Sequence, residues 1–310
     1  MLSASNWIPR AWNDSTEYGR GRGKLRRPTP GEADTYGWRT PRSWAENGQV
    51  GSRELVQTEL VADARTYSVV TALSHVGLIR DDNEDSLVVG QWTLCAAETE
   101  APQSFVFPLA TPLVVAVADG LGGHPGGDVA SSLVARELAR AGPTLDGEQR
   151  LRDVLNACNR ALYGIAADQP TLMAMGTTVA GVLLTSDQVL AFNVGDSRVY
   201  MHGPDGLRQV SIDDRPPLAA GQEHTTIVTQ TLGGGFAYAD LEPHVWACPQ
   251  STEVRWLICS DGLSDLVGDQ ALNDLLQESE DSEAAFGLWK AAIDAGGSDN
   301  ITLALIRVAS

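Results

Sequence analysis

Four aspartates in this chain stand at the ends of apolar runs. "VVAVADG" leads to Asp119, "VLAFNVGDS" to Asp196 and "VRWLICSDG" to Asp261, whereas in "GGSDNITLALIRV" Asp299 precedes the run. Short runs rich in Val, Ile and Leu and bounded by glycine read as buried strands, so each carboxylate is delivered to a strand end with a glycine within two residues. One Asp-Gly taken alone reads equally well as a turn, because glycine supplies positive φ angles there. The recurrence in distant parts of the chain changes that reading to one site assembled by the fold. Two unit charges about 4 Å apart repel by roughly 4 kcal/mol at an effective dielectric near 20. Four converging carboxylates therefore stay ionised only with cations between them. A fold for this chain must bring strand ends from four regions together.

Carboxylate oxygens, completed by a backbone carbonyl and water, suit hard cations such as Mg²⁺ or Mn²⁺, whereas zinc more often takes His or Cys. The four cysteines, Cys95, Cys158, Cys248 and Cys259, are far apart with no C-x-x-C pair and read as structural. Their spacing also agrees with a reducing compartment.

A chain of 310 residues with 43% hydrophobic residues has ample material for a packed core. Its net charge of −18 is unevenly spread: residues 1–60 carry 9 basic and 7 acidic side chains, leaving 13 and 33 for the rest. Such an acidic body repels nucleic acid. The absence of a long apolar stretch or a signal-like start points to a cytoplasmic protein with no membrane partner. The stretch "YGRGRGKLRRPTPGEADTYG" reads as part of an unstructured arm, and the organisation expected is a largely disordered segment 1–64 followed by a globular domain, 65–310. Trp7, Trp12, Trp38 and Trp44 are half of the eight tryptophans and suggest a docking role for the arm, since disordered segments are poor in aromatics.

Strand-like runs fall near 67–73, 84–94, 112–118, 178–184, 188–194, 197–202, 225–229, 243–247, 254–259 and 301–308. Helical periodicity appears at 126–141, 147–167, 269–278 and 282–294. Clustered strands with paired helices predict an α+β fold, the helix pair between 112–118 and 178–184 covering one sheet face.

In order along the chain stand "GLIRDDNEDS", "VADGLGGH", "GTTVAGVLL", "NVGDSRVY", "TQTLGG", "ICSDGLSD" and "GSDNITLALI". This succession resembles the metal-dependent protein Ser/Thr phosphatases of the 2C type, the PPM family, in its bacterial form, over about residues 65–310. The resemblance implies a central β-sandwich of two mainly antiparallel sheets flanked by helical layers. It implies two Mn²⁺ or Mg²⁺ ions held by Asp119, the Gly120 carbonyl, Asp261 and Asp299, with Asp119 bridging them. Asp196 and Asp265 resemble the residues that bind a third, weaker ion. Glu84 and Asp85 match an acidic pair acting through metal-bound water and hydrogen bonds, their bland alternative being a solvated turn. Arg80 matches the phosphate-binding arginine, whose planar guanidinium grips two oxygens at once; its alternative is an exposed strand-end arginine. The implied reaction is hydrolysis of phosphoserine and phosphothreonine by a water bridging two ions. Its partners are phosphorylated proteins, substrates of a Ser/Thr kinase, and the protein is expected to act as a monomer in signalling.

Two departures stand out. Leu121 occupies the position where several eukaryotic members carry a histidine after the first Asp-Gly, so the general acid is unassigned; His124 is expected to shape the glycine loop, and His75 and His224 to be structural. The flap between "GDSR" and "TLGG" has Asp213, Asp214 and Arg215 where many relatives have Asp-His-Ser. Two other functions compete: a catalytically silent phosphoprotein-binding relative, which would have lost a metal carboxylate, and a small-molecule phosphomonoesterase. Because every motif residue lies at or after Arg80, a chain starting near Val61 is expected to fold and to hydrolyse p-nitrophenyl phosphate with nearly unaltered metal dependence, with room for a fall in activity on its protein substrate if the arm supplies remote binding energy. Loss of activity on the small ester would make the arm part of the domain.

Overall fold

The computed structural model describes residues 66–122, 125–217, 225 and 227–309; the expected arm, His124 and His224 lie outside them. Five strands open the described chain: β1 (Tyr67–His75), β2 (Ser86–Val89), β3 (Trp92–Cys95), β4 (Gln103–Pro108) and β5 (Leu113–Ala118). Two helices follow, α1 (Gly127–Ala141) and α2 (Glu148–Asp168), and then β6 (Gly176–Thr177), β7 (Val179–Leu184), β8 (Gln188–Val194), β9 (Arg198–Gly203), β10 (Gly206–Gln209), β11 (Leu232–Gly233), β12 (His244–Pro249) and β13 (Arg255–Cys259). The short α3 (Asp261–Ser264), α4 (Asp269–Glu278), α5 (Asp281–Asp294) and β14 (Ile301–Ala309) complete it.

Among the described residues these strands form two antiparallel six-stranded sheets, ordered β10-β9-β13-β14-β1-β4 and β12-β8-β7-β5-β2-β3, and a small β11-β6 pair. Alternation along each strand sends successive side chains to opposite faces, which builds three cores. Val115, Val117, Val182, Trp256, Ile258 and Ile306 meet between the sheets. Val114, Ala116, Leu183 and Phe192 face α1 and α2 through Val134, Leu138, Leu155 and Leu162. Leu257, Leu303 and Leu305 face α4 and α5 through Leu272, Leu276, Leu288 and Ala292. Strands such as β5 and β7 are apolar on both faces because both are covered. The expected helix-flanked sandwich is therefore what forms, with the α1–α2 pair on the face assigned to it.

Several short elements, β6, β10, β11 and α3, are absent from the sequence reading, and three further details differ from it. The run 84–94 breaks into the β2–β3 hairpin, turning at Gly90 with φ 63°. Strand β4 was not anticipated because only one of its faces is covered: Phe105 and Phe107 pack toward the intersheet core while their neighbours are exposed. The strand expected at 225–229 does not form in its described residues, which follow an irregular path; Thr229 donates its N–H to the Asp214 carbonyl rather than to a ladder, and Ile227 is exposed.

Strand register gathers the site. Ser86 pairs with Ala118, so Asp85 and Asp119 leave neighbouring strands at the same rim. Val179 pairs with Val194, which brings Thr178 beside the turn before Asp196. Cys259 pairs with both Leu303 and Arg198, aligning the end of β13 with the start of β14 and of β9. His75 pairs with Ile301, so the loop carrying Arg80 and Glu84 leaves β1 beside Asp299. One end of the sandwich thus collects all the motif residues.

Candidate active site

Asp119 is fixed by its own backbone. Its carbonyl accepts from Thr178 N–H (2.8 Å) and from Thr177 Oγ1 (2.7 Å), and Leu121 N–H bonds the Gly176 carbonyl at 3.0 Å. A Cβ on Gly120 would lie 2.6 Å from the Gly127 carbonyl and 2.8 Å from that of Glu84. Glycine is required here for close approach of three chain segments and not for a left-handed turn. The same logic holds Gly262 against the Asn300 carbonyl, whereas a Cβ on Gly122 would meet only the movable end of Arg80, its Nη1 at 2.5 Å.

The loop bearing Arg80 and Glu84 is held by a residue the motif reading passed over. Asn300 accepts from Glu84 N–H (2.8 Å) and donates to the carbonyls of Val76 (2.9 Å) and Asp82 (3.0 Å). Ser131 Oγ donates to the Glu84 carbonyl at 2.6 Å. Beneath this lies Asp85, buried, accepting from Ser260 Oγ at 2.9 Å through one oxygen while the other, Oδ1, has no partner. The only signal for Asn300 and Ser260 in the sequence was adjacency to Asp299 and Asp261.

Electrostatics follow from this convergence. Burial pushes the Asp85 carboxyl up to about 7, opposed by its hydrogen bonds and aided by the charges of Asp299 and Glu84. Burial also takes Asp261 to about 7, with Asp196 and Asp299 adding to it. Asp119 is raised well above the carboxylate range by burial and then by Asp85, Asp261, Asp196 and Asp299. Glu84 is raised by burial and lowered in part by Arg80. The rim carries more negative charge than the protein itself offsets.

Two arginines supply the local compensation. Arg80 Nη2 donates to Asp299 Oδ2 at 2.7 Å. Arg215 donates through Nε to Asp196 Oδ2 (2.8 Å) and through Nη1 and Nη2 to the two oxygens of Asp265 (3.0 and 2.9 Å), and it stands 3.7 Å from Asp261. As these side chains stand, no three His, Cys, Asp or Glu groups among the described residues are arranged to hold an ion. The fit to a divalent cation rests instead on chemistry: an all-oxygen donor set, mutually raised carboxyls and the orphaned Asp85 Oδ1. Of the expected ligands, Asp119 and Asp261 lie close enough to Asp299 for its charge to act on both, while Asp299 is paired with Arg80.

The other sequence expectations resolve simply. Leu121 packs its side chain toward Gly176 and Gly234. His75 accepts from Gly77 N–H at 2.9 Å and lies edge-on to Trp289, a structural role. All four cysteines are free, and burial pushes the Cys158 and Cys259 thiols up to about 12, which leaves no reactive thiolate there.

Comparison with known proteins agrees with this architecture. Residues 103–295 match the family model for protein phosphatase 2C, and the chain belongs to that family. It is 31% identical over 252 residues to the serine/threonine protein phosphatase PstP of Mycobacterium tuberculosis, covering 76% of this chain but only 44% of that protein's length. It is 32% identical over 214 residues to the serine/threonine phosphatase stp of Listeria welshimeri, covering 63% of this chain and 84% of that one. The crystal structure of the PstP catalytic domain in complex with two manganese ions superposes with a TM-score of 0.63 at 29% identity, covering 79% of this chain and 100% of that chain. PppA of Pseudomonas aeruginosa superposes with a TM-score of 0.65 at 27% identity, covering 79% and 99%.

Two predictions follow from the geometry. A carboxyl whose folded pKa lies above its unfolded value keeps its proton longer in the folded chain, so stability falls as pH rises between the two values. For Asp85 that window runs from 3.8 to about 7. In chelator-treated protein, Asp85→Asn is expected to match wild type in urea midpoint near the bottom of the window and to exceed it progressively as pH rises through it. Equal midpoints across the window would mean that Asp85 is not held in the protonated form. Asn300→Ala is expected to cost about 1–3 kcal/mol, because three part-buried hydrogen bonds to the loop backbone are lost, and to raise KM for a phosphate ester by loosening the Arg80 loop. A loss of stability with KM unchanged would limit Asn300 to folding.

Proposed function

We propose that the protein is a metal-dependent phosphatase that removes phosphate from phosphoserine and phosphothreonine in proteins. The observation that carries this reading is the convergence of Asp119, Asp261 and Asp299 beside Arg80, in a chain of the protein phosphatase 2C family. Asp119, the Gly120 carbonyl, Asp261 and Asp299 would hold two Mn²⁺ or Mg²⁺ ions, the number in the PstP structure. When bound, such a pair supplies Lewis-acid activation of water at neutral pH and offsets phosphoryl charge.

The chain's own residues do the rest. Arg80 is half-exposed at the cleft edge, and its fork is suited to two phosphate oxygens, so phosphate would displace its bond to Asp299. That exchange would free the Asp299 carboxylate for an ion while the substrate takes the guanidinium. Gly122 leaves room for the guanidinium to lie flat over the loop. Asp85, buried with one oxygen unpartnered, would accept a hydrogen bond from a water admitted between the carboxylates. Negative charge on the body disfavours nucleic acid as partner; phosphorylated proteins as substrates, and action as a monomer in the cytoplasm, belong to the family reading and not to the charge. Among the described residues no helix is long and apolar enough to cross a membrane.

Phosphate release from phosphothreonine peptides should vanish on chelation and return with Mn²⁺ or Mg²⁺. Asp119→Asn and Asp261→Asn should each lower turnover by several orders of magnitude, and Arg80→Ala should mainly raise KM. Full activity after exhaustive chelation would sink the two-ion mechanism. Hydrolysis of small phosphate esters without phosphopeptides would favour a metabolite phosphomonoesterase, and metal-dependent peptide binding without turnover a silent phosphoprotein-binding relative.

A further inference from the structure

Three carboxylates, Asp196, Asp261 and Asp265, lie against one guanidinium, that of Arg215, at the flap side of the cleft. Carboxylate oxygens are donors that suit a hard cation, and here a side chain supplies the positive charge instead. Arg215 binds Asp196 through Nε and Asp265 through both Nη atoms, with Asp261 3.7 Å away. The pairs are well enclosed: the side chains of Asp196 and Arg215 are 3% and 13% exposed. Burial works against the guanidinium's charge, but its bonds to Asp265 and Asp196 raise its pKa beyond the ordinary arginine value.

Arg215 is also not a loose arm that happens to reach the cleft, because its neighbours are pinned on both levels. Asp213 accepts from Arg198 through a forked Nε–H, at 3.0 and 3.2 Å, and through Nη2 at 2.8 Å. Asp214 accepts from Gly195 N–H at 2.9 Å and from Gln230 at 3.0 Å, and it contacts His244 Nε2 at 2.9 Å, while its own N–H bonds the Gly195 carbonyl. Asn193 ties the Ile212 backbone in both directions, at 2.7 and 3.2 Å. Pro216 and Pro217 follow at once, and a proline disfavours helical geometry in the residue before it. The strand-end turn after β8 thus fixes the backbone on which Arg215 stands.

We propose that Arg215 is a resident cation: it takes the place of an ion at the Asp196–Asp265 pair, excludes a divalent cation there, and ties the flap segment 211–217 to the cleft. The inference deepens the reading above by limiting this chain to two ions where Asp196 and Asp265 would otherwise admit a third. A guanidinium differs from an ion in consequence as well as in kind. It brings no bound water, it keeps its protons at any working pH, and it cannot dissociate as the metal concentration falls.

The test is ion stoichiometry, read without substrate. Equilibrium dialysis against millimolar Mn²⁺, followed by elemental analysis of the full chain, should find one ion more per chain in Arg215→Ala than in wild type. Since Arg215→Ala leaves a buried carboxylate unpaired, Arg215→Gln, which fills the space without charge, is measured alongside, with thermal melting to show that each variant is folded. Adding Asp265→Asn to Arg215→Gln should remove the extra ion. Equal uptake by wild type and the folded Arg215 variants, or an extra ion that survives Asp265→Asn, would overturn the inference. Because the readout is a difference between variants, it is separate from the phosphatase reading, whose failure would appear as absent metal-dependent phosphate release by wild type.

Discussion

Repulsion among carboxylates at one rim of the sandwich is the constraint on which the rest of the structure depends. Asp85, Asp119, Asp196 and Asp261 all have pKa values raised by burial, with charges of one or more of the other acidic groups adding to it. Left to themselves such groups would protonate or drive the strand ends apart. The fold resists this by making the strand ends continuous with two fully covered sheets, so that separating the carboxylates would mean breaking ladders such as β2–β5 and β13–β14. Compact apolar layers on both faces hold a polar rim that would not hold itself.

Crowding of backbone against backbone is the second half of that solution. Gly120 meets the carbonyls of Gly127 and Glu84, and Gly262 meets that of Asn300, so the loops carrying the carboxylates interlock without side chains between them. Around these contacts, neutral donors take over. Thr177 and Thr178 hold the Asp119 backbone, Ser260 holds Asp85, and Asn300 spans the loop from Val76 to Glu84. None of these groups adds negative charge, which is why Ser, Thr and Asn suit positions where another carboxylate would worsen the repulsion and a lysine would compete for the ligands.

Much of this was legible in the sequence, for local reasons. An apolar run that ends in Asp with glycine beside it declares both a strand and a carboxylate at its end, so Asp119, Asp196, Asp261 and Asp299 could be read from their own neighbours. The helix pair 127–168 was equally plain from periodicity. What escaped reading depends on contacts between distant segments. Strand β4 shows one covered face only after β1 is beside it, and the run 225–229 has a strand's composition but follows the carbonyl of Asp214 instead. Asn300 looked like a companion of Asp299 until the loop it bridges was in place. Arg215, in "DDRPP", stands out in the sequence only as part of a departure from the Asp-His-Ser of many relatives, and its partners lie 19 and 50 residues away.

The contrast between the two arginines gives the rim its logic. Arg80 makes one bond to Asp299, its side chain is 37% exposed, and among the described residues no other hydrogen bond ties its guanidinium down; a pair so accessible contributes little stability and is readily exchanged for a phosphate and an ion. Arg215 makes three bonds, is nearly enclosed, and stands on a backbone pinned through Asp213 and Asp214. Separating it would leave Asp196 buried without a counter-charge, the arrangement that costs most in a protein interior. The same chemical group therefore serves opposite purposes a short way apart. One is poised to leave its carboxylate when a more negative partner arrives, and the other is placed so that its carboxylates do not need one.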